Sequence, residues 1–112
     1  MSPGMKYKHY SPKADVVIID SDFNSFIDYI DNNYSDGTFC VVFDSEKESV
    51  KYPCLTYGDT NEENAKQLFD ILRELDDLGA NKVYFRCPDK SGVGLAVYNR
   101  LLRAAGFEVI KI

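Results

Sequence analysis

The 112 residues include no tryptophan, a single histidine and only three cysteines. With His9 as the lone imidazole, no Ser-His-Asp set can be assembled. Cys40, Cys54 and Cys87 contain no Cys-x-x-Cys pair, and one histidine does not complete the roughly four ligands that a zinc site takes. Cys40 and Cys87 sit in apolar, strand-like runs and read as buried reduced thiols, as a cytoplasmic protein allows. No apolar run approaches the ~20 residues of a membrane span. No apolar signal core follows Lys6 and Lys8, so secretion is not expected. Neither an RRM signature nor helix-turn-helix spacing is present, and direct nucleic-acid binding is not expected.

What is present is a core. Hydrophobic residues make up 45% of the chain, with eight tyrosines and seven phenylalanines, which excludes a disordered acidic tail. The length suits one domain over residues 14–112, preceded by a flexible tail over 1–13 that holds Pro3, Gly4 and Pro12. The net charge of −5 is uneven: residues 15–48 carry −8 and residues 82–112 carry +4. An acidic middle repels nucleic acid, whereas the basic final third can attract an anion.

Asp15 to Asp20 is a short β-branched run that suits a strand buried on both faces. Ser21-Asp22 follows as a helix cap, and Phe23, Phe26, Ile27, Ile30 and Tyr34 fall on one helical face. Thr38 to Asp44 is a second strand and Val50 to Tyr57 a third, with Pro53 marking an edge or a bulge. The polar segment Ser45 to Ser49 between them has hairpin length, so these two strands are expected to be antiparallel. Thr60-Asn61-Glu62-Glu63 fits a capping box at the start of a helix running to Gly79. Lys82 to Cys87 is a fourth strand. Leu95, Tyr98, Leu101, Leu102 and Ala105 mark the apolar face of a third helix, and Phe107 to Ile112 is a last strand. The order β-α-β-β-α-β-α-β predicts an α/β domain with a mixed sheet; its first six elements also match a ferredoxin-like core.

Chemistry has few places to sit. Lys90-Ser91-Gly92-Val93-Gly94 lies between a strand and a helix, where backbone amides can hold a phosphate. The plainer reading is a turn with a serine cap, because neither the dinucleotide fingerprint nor the P-loop pattern is complete. Tyr98, one turn into that helix, is a candidate proton donor, although such tyrosines more often only pack. Gly58 to Glu63 has the same strand-to-helix position, but its acids favour the helix dipole and oppose a pyrophosphate.

The carboxy-terminal half resembles the GNAT acyltransferase family. In one register, PDKSGVGLAVYNRLLRAAGFEVIKI is similar to the segment that holds coenzyme A, with Gly92 and Gly94 matching and Asp89 standing where Arg or Gln is usual. In the other, Thr60 to Gly79 is the cofactor helix, and NRLLRAAGFE resembles the late helix that ends in Gly106-Phe107. The resemblance implies a GNAT-like fold and two functions. One is a small acyl-CoA-dependent N-acyltransferase, with acetyl-CoA held by residues 90–94 and Tyr98 protonating the leaving thiolate. The other is a non-catalytic acidic module that binds a basic protein surface. The terminal strand can leave an open edge, which keeps both monomer and homodimer in view.

Overall fold

The computed structural model describes residues 13–106 and 108–112. The expected tail, apart from Lys13, lies outside the described residues, as do His9 and Phe107. The elements run β1 (Asp15–Asp20), α1 (Phe23–Asn33), β2 (Thr38–Val42), a 3-10 helix (Asp44–Ser49), β3 (Cys54–Thr56), α2 (Asn61–Asp77), β4 (Lys82–Arg86), α3 (Val93–Ala104) and β5 (Val109–Lys111). Among the described residues, no helix is long and apolar enough to cross a membrane.

Local signals set the helices. The Asp22 carboxylate accepts from the Ser25 amide at 2.7 Å, which starts α1. Thr60 Oγ1 accepts from the Glu63 amide at 3.2 Å, and Glu63 Oε1 accepts from the Thr60 amide at 3.1 Å, so the capping box of α2 forms as expected. Leu68, Leu72 and Leu75 of α2 are fully buried, and each such side chain contributes roughly 2 kcal/mol.

The five strands form one sheet in the order β3-β2-β4-β1-β5, and every pairing is parallel. The expected mixed sheet is therefore corrected to an all-parallel one, and the ferredoxin-like alternative and the GNAT-like arrangement go with it. The error lay between β2 and β3. The Asp44–Ser49 segment coils instead of turning. Val50 and Tyr52 then pack on the core beside α1, so β3 begins only at Cys54. The connection is thus long enough to return the chain to the starting edge of the sheet. Pro53 cannot donate, but its carbonyl accepts from the Cys40 amide at 3.0 Å.

Two cores result. Val17, Ile19, Cys40, Val42 and Tyr84 face Phe26 and Ile30 of α1. Val16, Ile18, Val41, Val83 and Phe85 face α2 and α3 on the other side. The connections β1 to β2 and β2 to β3 move one way across the sheet, and the later two move the other way. Crossovers of constant hand must then lie on opposite faces, which is the observed division. The buried side of α3 is Gly94, Val97 and Leu101, whereas Leu95, expected in the core, is exposed.

Candidate functional site

In open parallel sheets, ligands bind beyond the carboxyl ends of the strands, where neighbouring connections leave toward opposite faces. Here β1 leads to α1 on one face, and its neighbour β4 leads to α3 on the other. Asp20, Ser21, Arg86 and the connection 87–92 gather at that point.

Arg86 is its centre. Its Nε donates to both carboxylate oxygens of Glu46 at 3.1 Å, and its Nη1 donates to the Ser21 carbonyl at 2.7 Å. The guanidinium also lies 5.8 Å from the Phe23 ring, 5.7 Å from Phe26 and 5.4 Å from Phe43. The pair is nearly closed off from water, with 11% of the Arg86 side chain and 15% of the Glu46 side chain exposed. Behind it, the Tyr57 hydroxyl donates to the Arg86 carbonyl at 2.7 Å. Burial pushes that phenol far above its ordinary range. The sequence places Arg86 only within the fourth expected strand, Lys82 to Cys87. Nothing local announces Glu46 as its partner, because the two are 40 positions apart.

The residues expected to form a site are placed as follows. Lys90, Ser91 and Gly92 form an exposed connection, Val93 is the exposed first residue of α3, and Gly94 is buried in its first turn. Lys90 Nζ donates to Asp20 Oδ2 at 2.7 Å and stands 5.4 Å from the Tyr98 ring, so the structure brings Lys90 and Tyr98 together. The Asp20 carboxylate holds the Lys90 ammonium above its usual pKa. Ser91 Oγ lies 3.1 Å from both carboxylate oxygens of Asp89. The Gly94 amide donates to the Ser91 carbonyl at 3.0 Å, and the Leu95 amide donates to the Gly92 carbonyl at 3.1 Å. A Cβ at Gly94 would overlap the Asp89 carbonyl oxygen, so that glycine permits close packing of the connection on α3.

The adjacent strand ends are likewise tied to each other. Asp44 accepts from the Gly58 amide at 3.1 Å, and Asp59 accepts from the Ser45 amide at 2.9 Å. Arg86 and Lys90 are both ion-paired. Among the described residues, no group of three or more His, Cys, Asp or Glu side chains is placed to hold a metal ion. Chemically, these ion pairs and carboxylate–amide bonds fix the loops of this edge to one another.

Comparison with known proteins points elsewhere than acyl transfer. The family model for the C-terminal domain of threonylcarbamoyl-AMP synthase matches residues 1–106. The threonylcarbamoyl-AMP synthase of Pyrococcus abyssi is 35% identical over 118 residues, covering 99% of this chain and 34% of that protein. The Bacillus subtilis enzyme of the same name is 35% identical over 120 residues, with the same two coverages. The chain thus spans about a third of the length of the curated relatives it matches. Among solved structures, P. abyssi Sua5 complexed with L-threonine superposes with a TM-score of 0.76 at 33% identity, over 99% of this chain and 34% of that one. The C-terminal Sua5 domain of Pyrococcus horikoshii gives 0.61 at 25% identity, over 91% of this chain and all of that one.

These matches overturn the GNAT resemblance, and with it the acyl-CoA-dependent N-acyltransferase, its GNAT-like non-catalytic alternative and acetyl-CoA as cofactor. The shared Gly92, Gly94 and Gly106-Phe107 were too short a pattern. A glycine-bearing strand–turn–helix recurs wherever a helix packs closely against a parallel sheet.

Proposed function

The chain belongs to the family of threonylcarbamoyl-AMP synthase C-terminal domains, and from that premise we propose that it serves such a synthase as an accessory domain. The observation that carries this reading is the near-complete match to the C-terminal domain alone, by a chain one third as long as its full-length relatives. Threonylcarbamoyl-AMP joins a threonylcarbamate to AMP through an anhydride, so its synthase must hold threonine and an adenine nucleotide. The charge pairing of Arg86 with Glu46 and of Lys90 with Asp20 supports assigning the nucleotide phosphates to the other two-thirds of the synthase. The domain's own contribution is then to position or stabilise that catalytic portion.

The test is to remove this domain from a full-length synthase, measure threonylcarbamoyl-AMP formation, and then supply the 112-residue chain separately. Activity should fall on removal and recover in part on addition. Unchanged activity after removal, or product formed by the isolated chain, would sink the accessory reading.

A further inference from the structure

Cys40 of β2 and Cys54 of β3 are register partners in a parallel pair. Directly opposite residues in neighbouring strands send their side chains to the same face. Both cysteines accordingly pack in the core on the α1 side. Both are free thiols. Cys40 is fully buried, while Cys54 is partly exposed on the three-residue edge strand. Neighbouring strands run ~4.8 Å apart, inside the roughly 4.4–6.8 Å Cα separation that a disulfide spans. The Cβ atoms of an in-register pair must close slightly to reach disulfide geometry. That movement falls on β3, which among the described residues has β2 as its sole strand neighbour and is held from that side.

We propose that Cys40 and Cys54 form a thiol–disulfide exchange site whose oxidant is a small-molecule disulfide of the glutathione class. The sulfur of Cys54, as thiolate, attacks one sulfur of that disulfide and expels one small thiolate, which takes a proton from solvent. Cys40 gives up its proton and attacks the Cys54 sulfur, expelling the second small thiol. Two protein thiols are oxidised to one intrachain disulfide, and one external disulfide is reduced to two thiols. The product ties the sheet edge covalently to β2. The order of attack follows exposure, since of this pair Cys54 is the one open to a reagent. Burial raises both thiols, Cys40 to about 12, but the Lys47 ammonium works against that rise at Cys54. Cys87, also partly exposed, packs against the opposite core away from both, and serves as an internal control for a thiol without a neighbouring cysteine.

The experiment incubates the intact chain in glutathione buffers of increasing oxidised fraction, blocks residual thiols, and maps peptides by mass spectrometry. The expected product has lost two hydrogens, carries a Cys40–Cys54 link and retains an alkylatable Cys87. Cys40→Ser should instead accumulate glutathione on Cys54, and Cys54→Ser should leave Cys40 unreacted. A lasting glutathione adduct on Cys54 of the unsubstituted chain would overturn the proposal. So would a Cys40–Cys54 link that forms only in urea, or no oxidation at the most oxidising ratio.

Discussion

Arg86, the last residue of β4, grips Glu46 from the coil between β2 and β3 through both carboxylate oxygens at 3.1 Å, within a ring of Phe23, Phe26 and Phe43. The pair joins the central strand to the connection that makes β3 parallel, and Nη1 adds the end of β1 through the Ser21 carbonyl. Three chain segments thus meet on one guanidinium.

Arg86→Ala leaves Glu46 as an uncompensated charge in a mostly enclosed position. The expected loss is about 3 kcal/mol of unfolding free energy, read from urea denaturation. The double variant Arg86→Met with Glu46→Leu should recover most of it. A loss under about 1 kcal/mol for the single variant would instead describe an ordinary surface pair.

Gly94→Ala should cost about 2 kcal/mol, because its methyl group meets the Asp89 carbonyl oxygen, a backbone atom with little freedom to yield. Gly79→Asn is the comparison: its φ of +73 is tolerated by asparagine and its surroundings are open. Equal melting temperatures for the two variants would show that close approach at Gly94 does not constrain the fold.

Asn64 is 1% exposed, and its Nδ2 donates to the Tyr57 carbonyl at 2.7 Å. Asn64→Leu keeps the branched shape, though with bulkier methyl groups, and orphans that carbonyl, so a loss of about 2 kcal/mol is expected. Thermal unfolding of the variant checks it; wild-type stability would mean that another donor reaches Tyr57.

Glu63 closes the capping box, and the amides of Asp59 and Thr60 that bond its carboxylate hold its pKa below the ordinary 4.5. A depressed folded pKa means that the ionised form contributes stability above the unfolded value, and that this contribution is lost as pH falls through the folded pKa. Glu63→Gln retains an acceptor but removes the charge. Its stability should therefore lie below wild type at pH 7, with the gap closing in acid below the folded pKa. A constant gap across that range would assign the effect to packing.

Elements that were legible in the chain were those whose signal lies within a few residues. The β-branched run Val16 to Ile19 bounded by acids, the box at Thr60 and Glu63, and the apolar spacing of Leu68, Leu72 and Leu75 each report local backbone preference or a buried face. On α3 the expected Leu101 and Ala105 are buried and Tyr98 and Leu102 pack on the core, but Leu95 is exposed; its place in the first turn is taken by Gly94, which offers no side chain to a hydrophobic pattern.

The sequence by itself determined the α/β class, the succession of strands and helices and the capped start of α2, since caps, periodicity and β-branching act between neighbours in the chain. Only the tertiary structure decided the direction of β3, the pairing of Arg86 with Glu46 and the meeting of Cys40 with Cys54. Those depend on which distant segments pack together. A five-residue polar stretch is equally compatible with a hairpin and with a coil that lays Val50 and Tyr52 on the core. The outcome is fixed by the apolar surface those two side chains bury beside α1, a quantity that no short window of sequence contains.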